Sequence, residues 1–177
     1  MQITLGECLK IAKEHEREIQ RLKDLRRDEA FVYHDKDEEP DVPEHGVMEL
    51  TEQIGQLGQK VRLLRRKAAE KNLATRIDFP ETGDKITLAE GITLLGQLIG
   101  EREAIQGFLG QPERKRERAT PLSQTVQYRT TTYNPGTMNR YAKKLDQDIR
   151  RLRTAIDRAN VNTMVDLEPG EEELVEH

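Results

Sequence analysis

Apolar residues recur at spacings of three and four along most of this chain. Val47, Leu50, Ile54, Leu57, Val61, Leu64 and Ala68 form one such seam, and Met138, Ala142, Leu145, Ile149, Leu152, Ile156 and Ala159 form another. A spacing that averages about 3.5 residues is the mark of helices packed along a coiled-coil seam. Leu5, Leu9, Ala12, Ile19 and Leu22 predict a further helix over residues 5–27, and Leu88, Ile92, Leu95, Ile99 and Ile105 one over residues 88–108. At about 1.5 Å rise per residue, each would be roughly 30–40 Å long. Thr4 with Glu7, and Thr87 with Glu90, have the spacing of a capping box, in which hydroxyl and carboxylate satisfy reciprocal orphan amides. Asn134-Pro135 opens the last helix, with Asn as cap and Pro in the first turn.

The helices come in matching pairs. Ile3-Thr-Leu-Gly-Glu7 returns as Ile86-Thr-Leu-Ala-Glu90, and Asn72-Leu-Ala-Thr75-Arg-Ile77-Asp78 returns as Asn160-Val-Asn-Thr163-Met-Val165-Asp166. Two ordered, gapless matches predict two copies of one helical hairpin, residues 3–78 and 86–166, within a single domain of residues 1–167. Residues 168–177 read as an acidic flexible tail. The fold class expected is all-α: two repeated antiparallel hairpins, four long helices in a coiled-coil-like bundle, and a minor β element from the inter-helix loops. Those loops, near residues 30–46 and 109–136, are longer than a helix–helix turn needs. Phe31-Val-Tyr33 and the alternating Val126–Tyr133 are β-prone, and the expectation is that the two pieces pair with each other or with another subunit.

The order of these motifs resembles a family of small bacterial proteins, the septicolysin-like proteins, whose domain has no assigned function. The resemblance rests on Leu5-Gly-Glu-Cys-Leu9, on Asn72-Leu-Ala-Thr75-Arg76 followed by Thr87-Leu-Ala-Glu90, on the Val126–Thr132 strand and on Asn160-Val-Asn-Thr163. It covers about residues 3–167 and implies an all-helical hairpin protein. The family name suggests a cytolysin, and the resemblance carries over no catalytic residue.

Composition narrows the function classes. Charged residues make up 35% of the chain and aromatics 4%, which suits ion-paired helices better than a mixed core. The start has no basic region and apolar run of a signal peptide, and the longest apolar stretch, residues 92–99, is too short to cross a bilayer. With a single cysteine, Cys8, the reading is a cytoplasmic protein without membrane partners. The formal charge of −4 hides segregation: acidic residues gather at Asp35–Glu44 and Glu168–Glu176, basic ones on the second and fourth helices and at Arg114-Lys-Arg-Glu-Arg118. Acidic neighbours, few aromatics and a pI of about 5.7 argue against a dedicated nucleic-acid binder and for a solvated, ion-paired face. The His34–His45 run lacks the fixed spacing of metal ligands and reads as an acidic solvated loop, so no metal and no cofactor is expected. His15 falls on the helix seam and Cys8 among buried positions, both as packed residues.

The twin Asn-x-x-Thr segments are the candidate ligand site. Placed just past two helix ends and related by the repeat, Asn72, Thr75, Arg76, Asn160, Asn162 and Thr163 could form a polar pocket for a small anion or polar ligand. The competing reading is plain capping chemistry, since Asn and Thr serve helix ends and turns. Apolar residues beyond one stripe per helix suggest a homo-oligomer, a dimer or a ring of dimers, with Leu94, Leu98, Phe108, Val126 and Tyr128 as interface candidates. The function expected is therefore a non-enzymatic, self-associating structural or interaction protein. The alternatives are a pore-forming protein, a nucleic-acid-binding accessory protein, and a small-ligand sensor using the Asn/Thr pocket.

Overall fold

In the computed structural model, which describes residues 1–40, 45–79, 82–117 and 126–175, both capping boxes are formed. The Thr4 and Thr87 hydroxyls accept from the amides of Glu7 and Glu90, and each Glu carboxylate accepts from its Thr amide, at 2.8 Å and 2.7 Å. Asn134 Oδ1 likewise accepts from the Thr137 amide at 2.9 Å. In chain order the elements are β1 (Gln2–Thr4), α1 (Leu5–Asp28), α2 (Val47–Ala74), β2 (Arg76–Asp78), β3 (Lys85–Thr87), α3 (Leu88–Ala104), β4 (Arg114–Glu117), β5 (Gln127–Thr130), α4 (Pro135–Asn162) and β6 (Met164–Asp166). Single 3-10 turns occupy Gln106–Phe108 and Glu172–Leu174. The molecule is mostly helical with small antiparallel strand pairs, and each half of the chain supplies strand, helix, helix, strand.

The chain gathers into two compact units, Met1–Thr75 with Arg158–His177, and Arg76–Asp157. These cut across the halves read from the repeat, because the last turn of α4 and everything after it belong with the first unit.

In the first unit, α1 and α2 run antiparallel. The Cys8 thiol donates to the Leu64 carbonyl at 3.5 Å, Arg65 is bidentate to Glu16, and Arg26 donates to the Thr51 hydroxyl at 2.9 Å near the loop end. Leu5, Cys8, Ala12 and Leu22 meet Leu50, Leu64 and Ala68 in the core, joined by Ile3, Val165, Leu167 and Leu174. β1 pairs antiparallel with β6, Ile3 opposite Val165, and the Leu5 amide continues the ladder to the Thr163 carbonyl at 2.8 Å. Residues 168–175, read as a flexible tail, instead fold back. Leu174 is buried, and the reason is an apolar anchor among acids that the basic face of α2 accepts.

In the second unit, β2 and β3 form a hairpin with Ile77 opposite Ile86 and an Asp78–Lys85 ion pair across it. Helices α3 and α4 pack antiparallel: Arg102 pairs with Asp146 at 3.0 Å, and Ile105, Ala142 and Leu145 form a cluster lined by Leu98, Leu109 and Met138. Gly91 on α3 makes room for Ile77 of β2, since a Cβ there would run into Ile77 Cδ1, while Leu152 Cδ1 of α4 would sit in ordinary contact at 3.6 Å. The helix read as ending near Phe108 stops at Ala104 and tightens into the 3-10 turn.

The β elements depart from expectation in two ways. Phe31–Tyr33 forms no strand, so the two β-prone loops do not pair; β5 pairs instead with β4 of its own loop, Arg116 opposite Tyr128. Local pairing closes a shorter loop and costs less entropy. The remaining strand pairs come not from the inter-helix loops but from the residues that flank the hairpins. Both capped helices are held at their first residues by strand pairing, so Thr4→Ala and Thr87→Ala should each cost about 1 kcal/mol in denaturant unfolding. Negligible losses from both would mean that the caps contribute nothing.

Candidate functional site

The repeated Asn-x-x-Thr segments lie within helices rather than past them. Asn72 is in the last turn of α2 and Asn160 in the last turn of α4, with Thr75 and Thr163 one turn further at the helix ends. Residues three apart share a helix face, so each Asn side chain is carried beside its Thr. In the first unit the two threonines meet: Thr75 Oγ1 and Thr163 Oγ1 are 3.3 Å apart, at a separation of 88 residues. The last turn of α4 is also pressed on the first turn of α1, where a Cβ at Gly6 would lie 3.4 Å from the Asn160 carbonyl.

Asn72 Oδ1 and Asn160 Oδ1 are buried and have no hydrogen-bond partner among the described residues. A buried acceptor left unsatisfied costs on the order of 1–3 kcal/mol. Both lie at helix C-termini, where orphan carbonyls already concentrate partial negative charge. That field opposes the small anion considered from sequence and favours a group that donates hydrogen bonds. The other candidates are dispersed. Asn162, the last residue of α4, is exposed, and Arg76 is exposed at the start of β2, its charge felt by Glu90. Among the described residues no group of three or more His, Cys, Asp or Glu is placed to hold a metal ion. His34 Nδ1 is 3.0 Å from the carbonyls of Asp35 and Glu38; Asp41 and Glu44 lie outside the described residues, as does Arg118 of the basic loop.

The interface candidates divide as well. Leu98 packs against the Ile105–Ala142–Leu145 cluster of its own unit, and Leu94 is half-buried. Phe108 stacks on Tyr133 with ring centres 5.5 Å apart yet stays exposed, as do Val126 and Tyr128.

The C-terminal strap is a polar site that the sequence reading missed. Lys67 pairs with Glu171 at 2.8 Å, both side chains largely covered, and Lys67 also donates to the Asp166 carbonyl. Lys60 donates to the Glu173 carbonyl at 2.6 Å, and buried His15 Nε2 sits 2.9 Å from the Leu174 carbonyl. Lys71 reaches Asp166 at 3.2 Å. The Lys67 ammonium holds the Glu171 carboxyl below its ordinary range, and the Gln2 amide and Lys71 do the same for Asp166. The signal was present as charge: a basic stretch of α2 and an acidic chain end that complement one another.

No family model and no curated protein matches the sequence. Among solved structures, the chain is similar to the crystal structure of a functionally unknown conserved protein from Corynebacterium diphtheriae, at 21% identity over 94% of this chain and 100% of that one, with a TM-score of 0.70. That likeness shows a shared fold.

Two measurements check this region. If the threonines form a pair, Thr75→Val or Thr163→Val alone should cost about 1 kcal/mol by stranding the other hydroxyl, and the double variant should cost less than the two singles summed. Strict additivity would mean no pairing. Carboxyls with depressed values add stability above the ordinary carboxylate range and lose it as the pH falls through their folded-state range. Thermal unfolding should therefore show the strap's contribution fading below about pH 4. Lys67→Ala should remove about 1–2 kcal/mol at neutral pH and flatten that acid slope. An unchanged slope would show that the Lys67–Glu171 pair contributes nothing to stability.

Proposed function

We propose that this protein is a non-enzymatic interaction protein that associates with copies of itself, built from a duplicated strand–helix–helix–strand unit whose hairpins pack as coiled-coil-like seams. One observation carries the reading. The chain has seven aromatic residues, and five are exposed: Phe31 at 75%, Tyr33 at 94%, Phe108 at 46%, Tyr128 at 50% and Tyr141 at 42%. An aliphatic core that needs no aromatic rings leaves them for another surface, and aromatic side chains dominate the energetics of contacts between proteins. All five belong to or border the loops that join the helices of each hairpin. Phe31, Val32 and Tyr33 follow α1, and exposed Val47 and Met48 begin α2 at the same end. Phe108 follows α3, and Tyr141 lies in the second turn of α4. A second copy of the chain is the simplest occupant, because closed twofold contacts bury such surfaces in pairs.

Light scattering should give a mass that is a multiple of 20.4 kDa. Phe31→Asp with Tyr33→Asp, or Leu94→Asp with Phe108→Asp, should dissociate the assembly with helicity intact, and the pair that succeeds identifies the hairpin in contact. A mass of one chain across a tenfold concentration range would refute self-association.

The unpartnered Asn72 and Asn160 oxygens favour a second reading, a sensor of a small donor-bearing ligand such as an amine. Native mass spectrometry of the purified protein checks it: an adduct abolished by Asn160→Leu supports the reading, and a bare chain mass argues against it.

A further inference from the structure

We propose that the β4–β5 ribbon is a docking surface for single-stranded nucleic acid. Direct cross-strand partners share a face of a ribbon, so the register puts Arg114, Arg116, Tyr128 and Thr130 on one face, with Lys115 opposite Arg129 on the other. Arg114 lies over the Tyr128 ring at 3.9 Å, and Arg116 is directly across from it. A half-exposed aromatic ring thus carries one guanidinium over it and has a second arginine at the directly opposite register position, a combination of the kind that stacks a base while holding phosphates.

Folding does not account for this composition. Lys115 faces Arg129, and like charges directly opposite one another destabilise a strand pair. Several cations of the helices are paired with acids: Arg21 with Glu18, Arg65 with Glu16, Lys67 with Glu171, Lys71 with Asp166 and Arg102 with Asp146. Arg114, Lys115 and Arg116 are exposed and have no ion-pair partner among the described residues, although the chain holds 33 acidic residues. The whole-chain acidity that argues against a dedicated nucleic-acid binder averages over this segregation. Alternate positions at about 3.4 Å rise set Arg114 and Arg116 about 7 Å apart, a reach suited to successive phosphates of an extended strand. An acidic peptide would satisfy the cations and leave Tyr128 nothing to stack on, so a single strand is the better fit. The reading goes beyond self-association, whose test substitutes Phe31, Tyr33, Leu94 and Phe108 and leaves Tyr128 in place.

Fluorescence anisotropy with a labelled oligouridine of about twenty nucleotides tests it, with a labelled oligoglutamate of equal charge as the comparison. For three or four phosphates neutralised, affinity should fall roughly 20- to 50-fold between 50 and 200 mM salt. Arg114→Ala with Arg116→Ala should weaken binding and flatten the salt dependence by about two phosphates' worth. Tyr128→Ala should weaken it at least fivefold, and Tyr128→Phe should bind as the parent does. These side chains are exposed, so circular dichroism should show unchanged helicity. No binding at 50 mM salt with tens of micromolar protein would overturn the proposal. So would binding that ignores the ribbon substitutions, or oligoglutamate binding as tightly as the oligonucleotide.

Discussion

The first unit depends on an antiparallel contact between the two ends of the chain. Residues 2–4 pair with residues 164–166, and the Leu5 amide adds one more bond to Thr163. A three-residue strand is far too short to be stable alone, so the pairing exists only because Ile3 and Val165 reach the same apolar core. Once made, it fixes the rest. It holds Thr4 in the extended conformation that its cap requires and seats Gly6 against Asn160. It brings Thr163 within reach of Thr75 and delivers residues 167–174 onto the hairpin. A loop closed over more than 160 residues is costly in entropy, though the cost rises only slowly with length. The α1–α2 hairpin is more local and can form first.

Charge is arranged by the same economy. With few aromatics and a narrow aliphatic core, the helices cover their flanks with ion pairs and with lysine and arginine stems lying along the surface. The strap extends this logic by laying acids and backbone carbonyls on Lys60, Lys67 and Lys71. Most exposed pairs contribute little each, but Lys67–Glu171 is largely covered and tied to a buried leucine, so breaking it strands charges against an apolar patch.

Much of the helical framework was legible because its signals are local and periodic. Both capping boxes, the start of α4 at Asn134-Pro135 and the two seams can each be read within a window of a few turns. The three-residue strands that flank the hairpins were not legible: each is too short to show alternation around its central apolar residue, Ile3, Ile77, Ile86 or Val165, and only the pairing gives that triplet meaning. The repeat had marked those triplets without revealing their conformation. For the candidate site, the spacing placed Asn72 with Thr75 and Asn160 with Thr163, and the contact between the two threonines followed from the fold. Helix ends that run six residues past the seam in α2 and three in α4 moved both asparagines inside the helices, beside C-terminal carbonyls that favour a polar, donor-bearing ligand over a small anion. The strap was missed because acidity was read as solvation; Leu174 was the residue that argued otherwise.

The location of the aromatic residues separates two ideas of what such a chain is for. An enzyme of this size would be expected to line a concave, mostly apolar pocket with some of them and to aim perturbed acids and bases into it. Here five of the seven rings are exposed, on or beside the loops and the ribbon, while the depressed carboxyls are each explained by local partners: a cap for Glu7 and Glu90, Arg21 for Glu18, the Gln2 amide and Lys71 for Asp166, and Lys67 for Glu171. That distribution supports the proposed reading of an interaction protein, in which exposed rings supply contact surface.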